Sequence, residues 1–563
     1  KRICQNCKGE FTIEPEDFKF YEKIKVPPPT WCPECRMIRR IACHNGLYLF
    51  YRNCDKCGKR TLSMYPPSQK ITMYCQPCWW ADAWDGTEYG MDYDLSRPFL
   101  AQVRELSEKT PYTALETTYL NLKNCDYSNA LAYSKNCVLA IWADYCESVY
   151  FSSFIIRVKD TADSLRISNS ELCYESIGQN KSYRVFYSQE CDACTEVWFS
   201  RNCYGCINCI GCVNLRGSSY KIFNEQYSKE DYFKKSEELK LNTRSGLKAL
   251  QKEVELFWQK FSYRSYTGNT LNLNVTGEYV YESKNSQDMY ICSGAENCKF
   301  CQFITFAPAK DCRDYSGWGN NAELIYESGN IGENANNIKF SFYCYPDSLN
   351  LEYCFWNIAG KNNFGCVNLK RKSYCILNKQ YPKEEFEKLK AQIIEDMKNN
   401  PYVDSQNRIW PYGEFFKPGF SKFSYNNSTA IKFFPKTKEA ALVANYSWND
   451  EVEKQADATK SGENLPETIE AVDDSILQEI ISCTTCDRKY KIASLEFDLL
   501  RKMNLPLPSR CLKCREKARF DKLQMPKLYD RFCMKCNSPI RTSYAPNRPE
   551  IVYCVKCYQG EFL

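Results

Sequence analysis

Cysteine carries the strongest chemical signal in this chain. Sixteen of its 35 cysteines form eight C-x-x-C pairs near the two ends. Such a turn directs two thiolates at one metal ion, and two turns complete a closed tetrahedral shell of the structural kind. We therefore predict four structural zinc ions. The predicted ligands are Cys4, Cys7, Cys32, Cys35, Cys54, Cys57, Cys75, Cys78, Cys483, Cys486, Cys511, Cys514, Cys533, Cys536, Cys554 and Cys557.

The eight pairs fall into two modules with identical spacing. Successive pairs are separated by 24, 18 and 17 residues in the N-terminal module and again in the C-terminal module. An offset of 479 residues also superimposes Arg36 on Arg515 and Arg40 on Arg519. The modules therefore arose by duplication, and neighbouring pairs most simply share an ion. A cross-braced pairing is the alternative, since the spacing alone allows both.

Cysteine usage and composition also narrow the class of protein. Disulfides or metal-free core thiols are the alternatives for the pairs, but 35 is an odd number and zinc needs reduced thiolates. We therefore predict a cytoplasmic protein. His44 is the single histidine, which excludes His-rich metal sites. No stretch approaches the roughly 20 apolar residues of a membrane span, and residues 1–10 do not resemble a signal peptide.

Positive charge is concentrated in the two modules. Residues 1–80 have a net charge of +7 and residues 483–563 a net charge of +9, within a chain of net charge +6. Arginines follow the second pair of each module, where a short helix would expose them. Exposed cations suit a phosphate backbone, so we predict contacts to RNA or a ribonucleoprotein. The predicted contact residues are Arg36, Arg39, Arg40, Arg515 and Arg519.

The middle of the chain repeats every six residues. From Ser128 to Cys212, fourteen of fifteen residues at six-residue intervals are Ser, Ala or Cys, and apolar residues usually stand three positions earlier. A helix does not sustain this period. We predict a β-solenoid with about three hexads per coil, so that residues 18 apart, such as Ser134 and Ser152, would stack.

The hexads also bear on the central cysteines. Cys203, Cys206, Cys209 and Cys212 have the spacing of an iron–sulfur cluster, but they are in register with the Ser and Val residues of earlier hexads. We interpret them as reduced core thiols. A second, looser solenoid precedes a motif at 366–385 that repeats residues 212–231. We expect a helix from Ser228 to about Phe261 after the first copy, and another from Pro382 to about Lys398.

The predicted fold is mainly β. Two β-solenoid segments of 6/18-residue periodicity are capped by helices and flanked by duplicated Cys4 zinc-ribbon or treble-clef modules. The predicted segments are an N-terminal double zinc module (1–95), a first solenoid (111–227), a helix and connector (228–277), a second solenoid (278–381), a helix and aromatic-rich wrapping segment (382–450), a flexible acidic linker (451–476) and a C-terminal double zinc module (477–563).

Several motifs resemble a family of bacterial proteins that combine zinc ribbons with a β-solenoid. They are C-P-E-C-R (32–36), Y-C-Q-P-C-W-W (74–80), G-C-V-N-L (365–369), I-L-N-K-Q-Y-P-K-E-E (376–385), Y-G-E-F-F (412–416) and A-P-N-R-P-E-I-V-Y-C-V-K-C-Y (545–558). The family is abundant in candidate-phyla bacteria with small genomes. The resemblance covers nearly the whole chain and implies its architecture, with no activity to carry across.

A non-enzymatic binding scaffold is the function that these observations favour. The alternative is a structural or assembly protein that binds copies of itself or other proteins. A solenoid-fold enzyme is less favoured, because the sequence shows no phosphate loop, open metal site or nucleophile–base pair. No small-molecule substrate is evident from the residues, and we predict no membrane partner.

Overall fold

Two compact units make up the protein. The computed structural model describes residues 1–117, 119–266, 271–450 and 456–561. Unit 1 comprises residues 1–115, 266–449 and 525–528, and unit 2 comprises residues 116–265, 450–524 and 529–563. The N-terminal module therefore shares a unit with the second repeat region, and the C-terminal module shares one with the first. Each unit joins segments that are far apart in sequence.

Parallel strands dominate unit 2. They form one sheet of five strands and one of eight, and the last strand of the larger sheet is antiparallel to its neighbour. The strands are Asn129–Ala132, Ile141–Asp144, Glu147–Tyr150, Ser153–Ile156, Lys159–Ala162, Leu165–Ser168, Glu171–Tyr174, Ile177–Asn180, Tyr183–Phe186, Thr195–Trp198, Ile207–Ile210, Ser219–Ile222 and Glu225–Gln226.

Partner residues in these sheets lie 12 positions apart. Ser153 pairs with Leu165, and Lys159 pairs with Glu171. The predicted stacking of residues 18 apart is therefore wrong. Because six divides both 12 and 18, the six-residue pattern is compatible with either two or three hexads per repeat. A left-handed backbone conformation recurs at every third residue through most of 124–223 and turns the chain sharply enough for the shorter repeat.

The hexad residues lie in the core. Leu131, Ile155 and Val185 belong to one buried cluster together with Cys146 and Cys212. Both predicted classes of position, the small and the apolar, are thus buried, and large and small side chains alternate every three residues. The alternation fills the narrow space between the two sheets.

Small hydroxyl side chains tie successive repeats together. The N–H of Cys212 donates to Oγ of Ser200 at 3.1 Å, and that hydroxyl donates to the carbonyl of Trp198 at 2.9 Å. The same arrangement joins Cys146 to Ser134 at 3.0 Å. A serine at these positions therefore satisfies a buried N–H group of the repeat that follows it.

Unit 1 contains a third, less regular sheet, which is parallel except for its last strand. Among its strands, six close into a ring, those at 284–293, 295–296, 302–306, 309–310, 313–319 and 322–332. The strands of the sheet are Leu273–Tyr281, Lys284–Ser293, Ala295–Glu296, Gln302–Phe306, Ala309–Lys310, Arg313–Gly319, Ala322–Gly332, Asn336–Lys339, Phe342–Cys344, Leu349–Glu352, Phe355–Ile358, Lys361–Phe364, Val367–Lys370, Cys375–Ile376 and Lys379–Gln380.

Extra residues explain why the hexads of this region slip. Ile304 pairs with Trp318, 14 positions on, and Asn336 pairs with Leu349, 13 positions on. The 12-residue register returns where Leu349 pairs with Lys361. The inserted residues shift the sequence pattern without ending the parallel pairing.

Helices follow both repeat regions along the chain. Ser228 caps the first of them, as predicted, and accepts from the N–H of Asp231. The single helix expected to reach Phe261 is instead two, because Thr243 caps a second start. The α-helices of the described residues are Pro15–Lys23, Pro33–Ile41, Gln76–Trp80, Phe99–Lys109, Lys229–Glu238, Arg244–Trp258, Lys383–Asn399, Ala430–Phe433, Lys438–Val443, Ser494–Met503, Leu512–Phe520 and Val555–Gln559.

Two connecting segments pack against the units. The aromatic-rich segment buries Trp410, Phe415 and Phe420 in the core of unit 1. Residues 451–455 of the predicted acidic linker lie outside the described residues. From 456 onward the prediction of a flexible linker is wrong, because Leu465 and Ile469 are buried in a core of unit 2. A few well-spaced apolar residues suffice to hold an acidic segment in place.

Short strands complete the structure, most of them in the terminal modules. They are Arg2–Ile3, Glu10–Phe11, Phe50–Asn53, Arg60–Ser63, Met73–Tyr74, Tyr112–Thr113, Tyr263–Arg264, Tyr402–Val403, Ile409–Trp410, Lys460–Ser461, Ile481–Ser482, Lys489–Tyr490, Tyr529–Phe532, Pro539–Thr542 and Val552–Tyr553. Within the described part of the chain, no helix has the length and apolar character needed to cross a bilayer.

The serine ladder yields a first prediction. Ser200→Ala should lower the free energy of unfolding of unit 2 by about 1–3 kcal/mol, because it leaves the buried N–H of Cys212 without an acceptor. Ser200→Cys should cost less, since a thiol can still pair weakly and cysteine occupies equivalent positions. Ser494→Ala, at an exposed serine of the same unit, is the control. Urea titration measures the differences, and equal stability of Ser200→Ala and Ser494→Ala would contradict the role of the ladder.

Candidate metal centres

Each terminal module contains two clusters of four cysteines. Within each cluster, the sulfur atoms lie within 4.8 Å of one another. The pairing of neighbouring C-x-x-C turns is thus confirmed. The clusters are Cys4, Cys7, Cys32 and Cys35; Cys54, Cys57, Cys75 and Cys78; Cys483, Cys486, Cys511 and Cys514; and Cys533, Cys536, Cys554 and Cys557.

Each cluster is built from two elements. One C-x-x-C pair lies in the turn between two short strands, and the other pair stands at the start of a helix. In the second cluster, Cys54 and Cys57 lie between the strands Phe50–Asn53 and Arg60–Ser63, and Cys75 is the N-cap of the helix Gln76–Trp80. The same combination recurs in the other three clusters, where Cys32, Cys511 and Cys554 are the N-caps. A helix start favours negative charge, so each helix stabilises a thiolate.

The sulfur positions fit a tetrahedral ion. The Sγ atoms of Cys7 and Cys32 lie 3.8 Å apart, and those of Cys486 and Cys511 lie 3.7 Å apart. A tetrahedral ion with bonds of about 2.3 Å to sulfur places its ligands about 3.8 Å from one another. All four ligand positions of such an ion are taken by protein, which is the arrangement of a structural metal.

Backbone N–H groups favour the thiolate form that a metal needs. Burial raises the pKa of Cys483, but the N–H groups of Cys511 and Thr485 donate to its sulfur and bring the pKa to about 6. Similar donation from Cys75 to Cys54 outweighs burial and brings the pKa of Cys54 to about 7. These two sulfurs are therefore prepared to lose their protons near neutral pH.

The cysteines of the repeat regions are arranged differently. All 35 cysteines are free of disulfides. Cys203 and Cys206 are buried, and their sulfurs point at the carbonyls of Arg201 and Tyr204, both at 3.5 Å. Among the described residues, the terminal clusters are the groups of three or more potential ligands with mutually close donor atoms. The geometry is that of core thiols.

The three predicted contact arginines of the N-terminal module are buried, which corrects the expectation that they are exposed. Arg36, Arg39 and Arg40 follow the second turn on the predicted short helix, Pro33–Ile41, and at most 1% of each is exposed. Arg36 pairs with Asp314 at 2.8 Å. Arg39 pairs with Glu414 at 2.9 Å. Glu327 accepts from both Arg39 and Arg40.

The two predicted contact arginines of the C-terminal module are buried in the same manner. Arg515 and Arg519 both donate to Asp163, and Arg515 also donates to Glu496 at 2.7 Å. They are 1% and 3% exposed. None of the five predicted arginines is therefore placed to contact a nucleic acid. They fasten each metal module to a parallel sheet instead.

The carboxylates that pair with these arginines were not identified from the sequence. A signal was present for two of them. Asp163 and Glu327 each stand directly before a small hexad residue, Ser164 or Ser328, where aromatic residues are common in the first repeat region. A charged residue at such a position indicates a buried partner, because an isolated charge is too costly to bury.

The four clusters predict a defined metal content. Wild-type protein should contain four metal ions per chain, and Cys536→Ser should contain three, because a cluster with three thiolates binds far more weakly. Cys125→Ser, at a cysteine of the first repeat region in the same unit, should retain four. Elemental analysis against protein concentration measures the ratio, and loss of metal from Cys125→Ser would contradict the assignment.

The buried ion pairs predict a large and local loss of stability. Asp163→Asn should destabilise unit 2 by about 3–5 kcal/mol, because Arg519 would lose its carboxylate partner and Arg515 would keep only Glu496 in a buried site. Asn tolerates the left-handed backbone at this position, so geometry is retained. Asp521→Asn, in an exposed pair with Lys517, should cost less than about 1 kcal/mol. Denaturant titration compares them, and equal losses would contradict the role of Asp163.

Comparisons with known proteins leave the chain without a family. No family model and no curated protein matches it. One solved structure, described as a provisionally assigned acetyltransferase from Desulfovibrio desulfuricans G20, is similar over 52% of this chain and 74% of that chain. The sequence identity is 12% and the TM-score is 0.10, so the similarity carries no argument about fold or activity.

Proposed function

We propose that this protein is a non-enzymatic binding scaffold, stabilised by four zinc ions, that contacts RNA or a ribonucleoprotein. The observation that supports a scaffold is made in both units. In each, a four-thiol module is attached to a parallel sheet through buried arginines. All four clusters have the closed geometry of structural sites, so they support architecture rather than chemistry.

Zinc is the metal we propose for the clusters. A tetrahedral shell of four sulfurs suits zinc or iron, and zinc is favoured where an ion shapes the fold without changing its oxidation state. Each ion would contribute on the order of 10 kcal/mol to folding at neutral pH. Elemental analysis separates the two metals directly.

The same proposal treats the parallel sheets as two β-solenoid segments. The support is the 12-residue register of the parallel strands in unit 2 and the 11- to 14-residue register in unit 1. Stacked repeats of this kind present long, regular surfaces, which suits a protein whose work is binding.

An RNA contact must now rest on side chains other than the five buried arginines. Within 483–561, ten Lys and Arg residues are exposed, against five exposed Asp and Glu residues. Two zinc tetrathiolates would add a charge of about −4, which nearly cancels the excess of exposed positive side chains. Local placement of the cations, rather than the total charge, therefore decides where a phosphate backbone could bind.

The last cluster has the best local placement. Phe532, Met534 and Val555 surround its turns and are 63%, 55% and 42% exposed. Lys556 and Arg541 lie exposed on the neighbouring helix and strand. We call these five residues the knuckle face. Exposed aromatic and cationic side chains together are what a single-stranded nucleic acid needs for base stacking and phosphate contacts.

The duplicated module lacks the knuckle face. At the offset of 479 residues, Phe532, Met534 and Val555 correspond to Asn53, Asp55 and Gln76. Gln76 is buried and donates to the carbonyl of Leu115. The apolar face is thus a property of one copy, although both copies keep the cysteines that structure requires.

The RNA proposal predicts binding by the knuckle face. Wild-type protein should bind a fluorescent 20-nucleotide single-stranded RNA at 50 mM salt and more weakly at 200 mM salt, because phosphate contacts release counterions. Arg541→Glu with Lys556→Glu should weaken binding at least tenfold and make the salt dependence shallower. Fluorescence anisotropy measures both quantities.

Lys56→Glu is the control, since Lys56 is an exposed lysine of the N-terminal module, next to the turn equivalent to that of the knuckle face. It should bind RNA as wild type does. Both variants should retain four metal ions per chain, which shows that the modules are folded. No binding by the wild type at low salt would overturn the RNA proposal, and concentration-dependent oligomers in the same preparation would favour an assembly role.

A further inference from the structure

Unit 1 contains a cavity of about 930 Å³ that the scaffold does not account for. It is lined by residues of the N-terminal module, by the sheet, by the helix Lys383–Asn399 and by the segment around Tyr412. Its volume is near the upper end of the range for small-molecule sites.

A buried charged group forms part of the cavity wall. The carboxylate of Glu352 accepts from Lys390 and from the hydroxyl of Tyr412, both at 2.8 Å, and from Lys339 at 3.3 Å. Burial raises the pKa of Glu352, but the two lysines outweigh burial and bring it to about 2. Glu352 is therefore ionised near neutral pH, and two lysine side chains lie against its carboxylate.

Lys390 is the member of this group that can reach a ligand. Its side chain is 22% exposed, against 8% for Lys339, which also donates to the carbonyl of Ile24 at 2.9 Å. An ammonium carries three N–H donors, and Glu352 accepts one from Lys390. Within the described part of the chain, the remaining donors are available to a molecule in the cavity.

A column of amides lines another part of the cavity. Asn337 donates to Asn350 at 2.8 Å, and Asn350 donates to Asn362 at 2.9 Å. All three are half-buried and adopt the left-handed backbone that asparagine tolerates. Neighbouring strands lie about 4.8 Å apart, so the column offers polar groups along about 10 Å. An amide can both donate to and accept from a hydroxyl.

The charges of the lining favour an anion. The cations are Arg2, Lys25, Lys339, Lys390 and Lys398, and the carboxylates are Glu22, Glu352, Glu387 and Glu414. Arg39, from outside the lining, pairs with Glu414 and neutralises it. Lys398 is likewise paired with Glu395, which lies outside the lining, at 3.0 Å, so the cavity keeps an excess of one positive charge.

We propose that this cavity binds a hydroxyl-bearing organic anion of the acidic-saccharide class. Lys390 holds the acid group beside Glu352, and the asparagine column bonds to hydroxyl groups along the molecule. The site is independent of the metal clusters and of the knuckle face.

Digalacturonate, a dimer of uronic acids, is the probe. Isothermal titration calorimetry on the full chain should detect its binding, whereas the neutral disaccharide lactose should bind at least tenfold more weakly. Lys390→Met should weaken digalacturonate binding at least tenfold, and Lys390→Arg should retain most of it because the positive charge remains. Lys388→Met, at an exposed lysine of the same helix outside the lining, is the matched control and should bind normally.

Asn350→Asp tests the amide column separately. The two side chains have the same shape, and the added negative charge should weaken binding at least tenfold without disturbing the backbone. Absence of digalacturonate binding would overturn the proposal, as would equal binding of lactose or unchanged affinity in Lys390→Met. Inorganic phosphate that binds as tightly as digalacturonate would refute recognition of the hydroxyl groups.

Discussion

The burial of guanidinium groups against carboxylates is the interaction on which both units depend. A four-cysteine cluster includes the N-cap of a short helix, and that helix carries its arginines into the sheet. Asp314 and Glu327 receive them in unit 1, and Asp163 receives them in unit 2. Buried charges are tolerated only when paired and hydrogen-bonded, so this attachment accepts few substitutions on either side. The duplicated use of the same helix shows that the attachment belongs to the module itself.

The sequence sufficed to predict the metal clusters because their signal is local. A C-x-x-C turn brings its two sulfurs together within four residues, and repeated spacing identified which turns belong to one module. The burial of Arg36 and Arg515 against carboxylates could not be predicted in the same way. Their partners lie hundreds of residues away, and a basic helix has the same appearance in a sequence whether water or carboxylates surround it.

The repetitive structure of these regions was predictable from the sequence, but the number of residues in each repeat was not. Ser134 and Ser200 show why small residues recur, since their hydroxyls satisfy N–H groups of the next repeat. The number of hexads per repeat depends on how sharply the backbone turns, and left-handed residues such as Tyr133 and Tyr145 give no signal in the sequence. Likewise, the cavity beside Glu352 arises from segments that the chain brings together only on folding.

The pairing of distant segments also sets an order of events during synthesis. The N-terminal module emerges from the ribosome before the sheet to which it attaches, because that sheet begins only after the intervening residues 116–265. At 5–20 residues per second, about 150 residues take roughly 8–30 s to make. The N-terminal module must therefore persist through that interval before its arginines reach their carboxylates. Under the four-zinc proposal, metal supply and translation speed are coupled in the maturation of this protein.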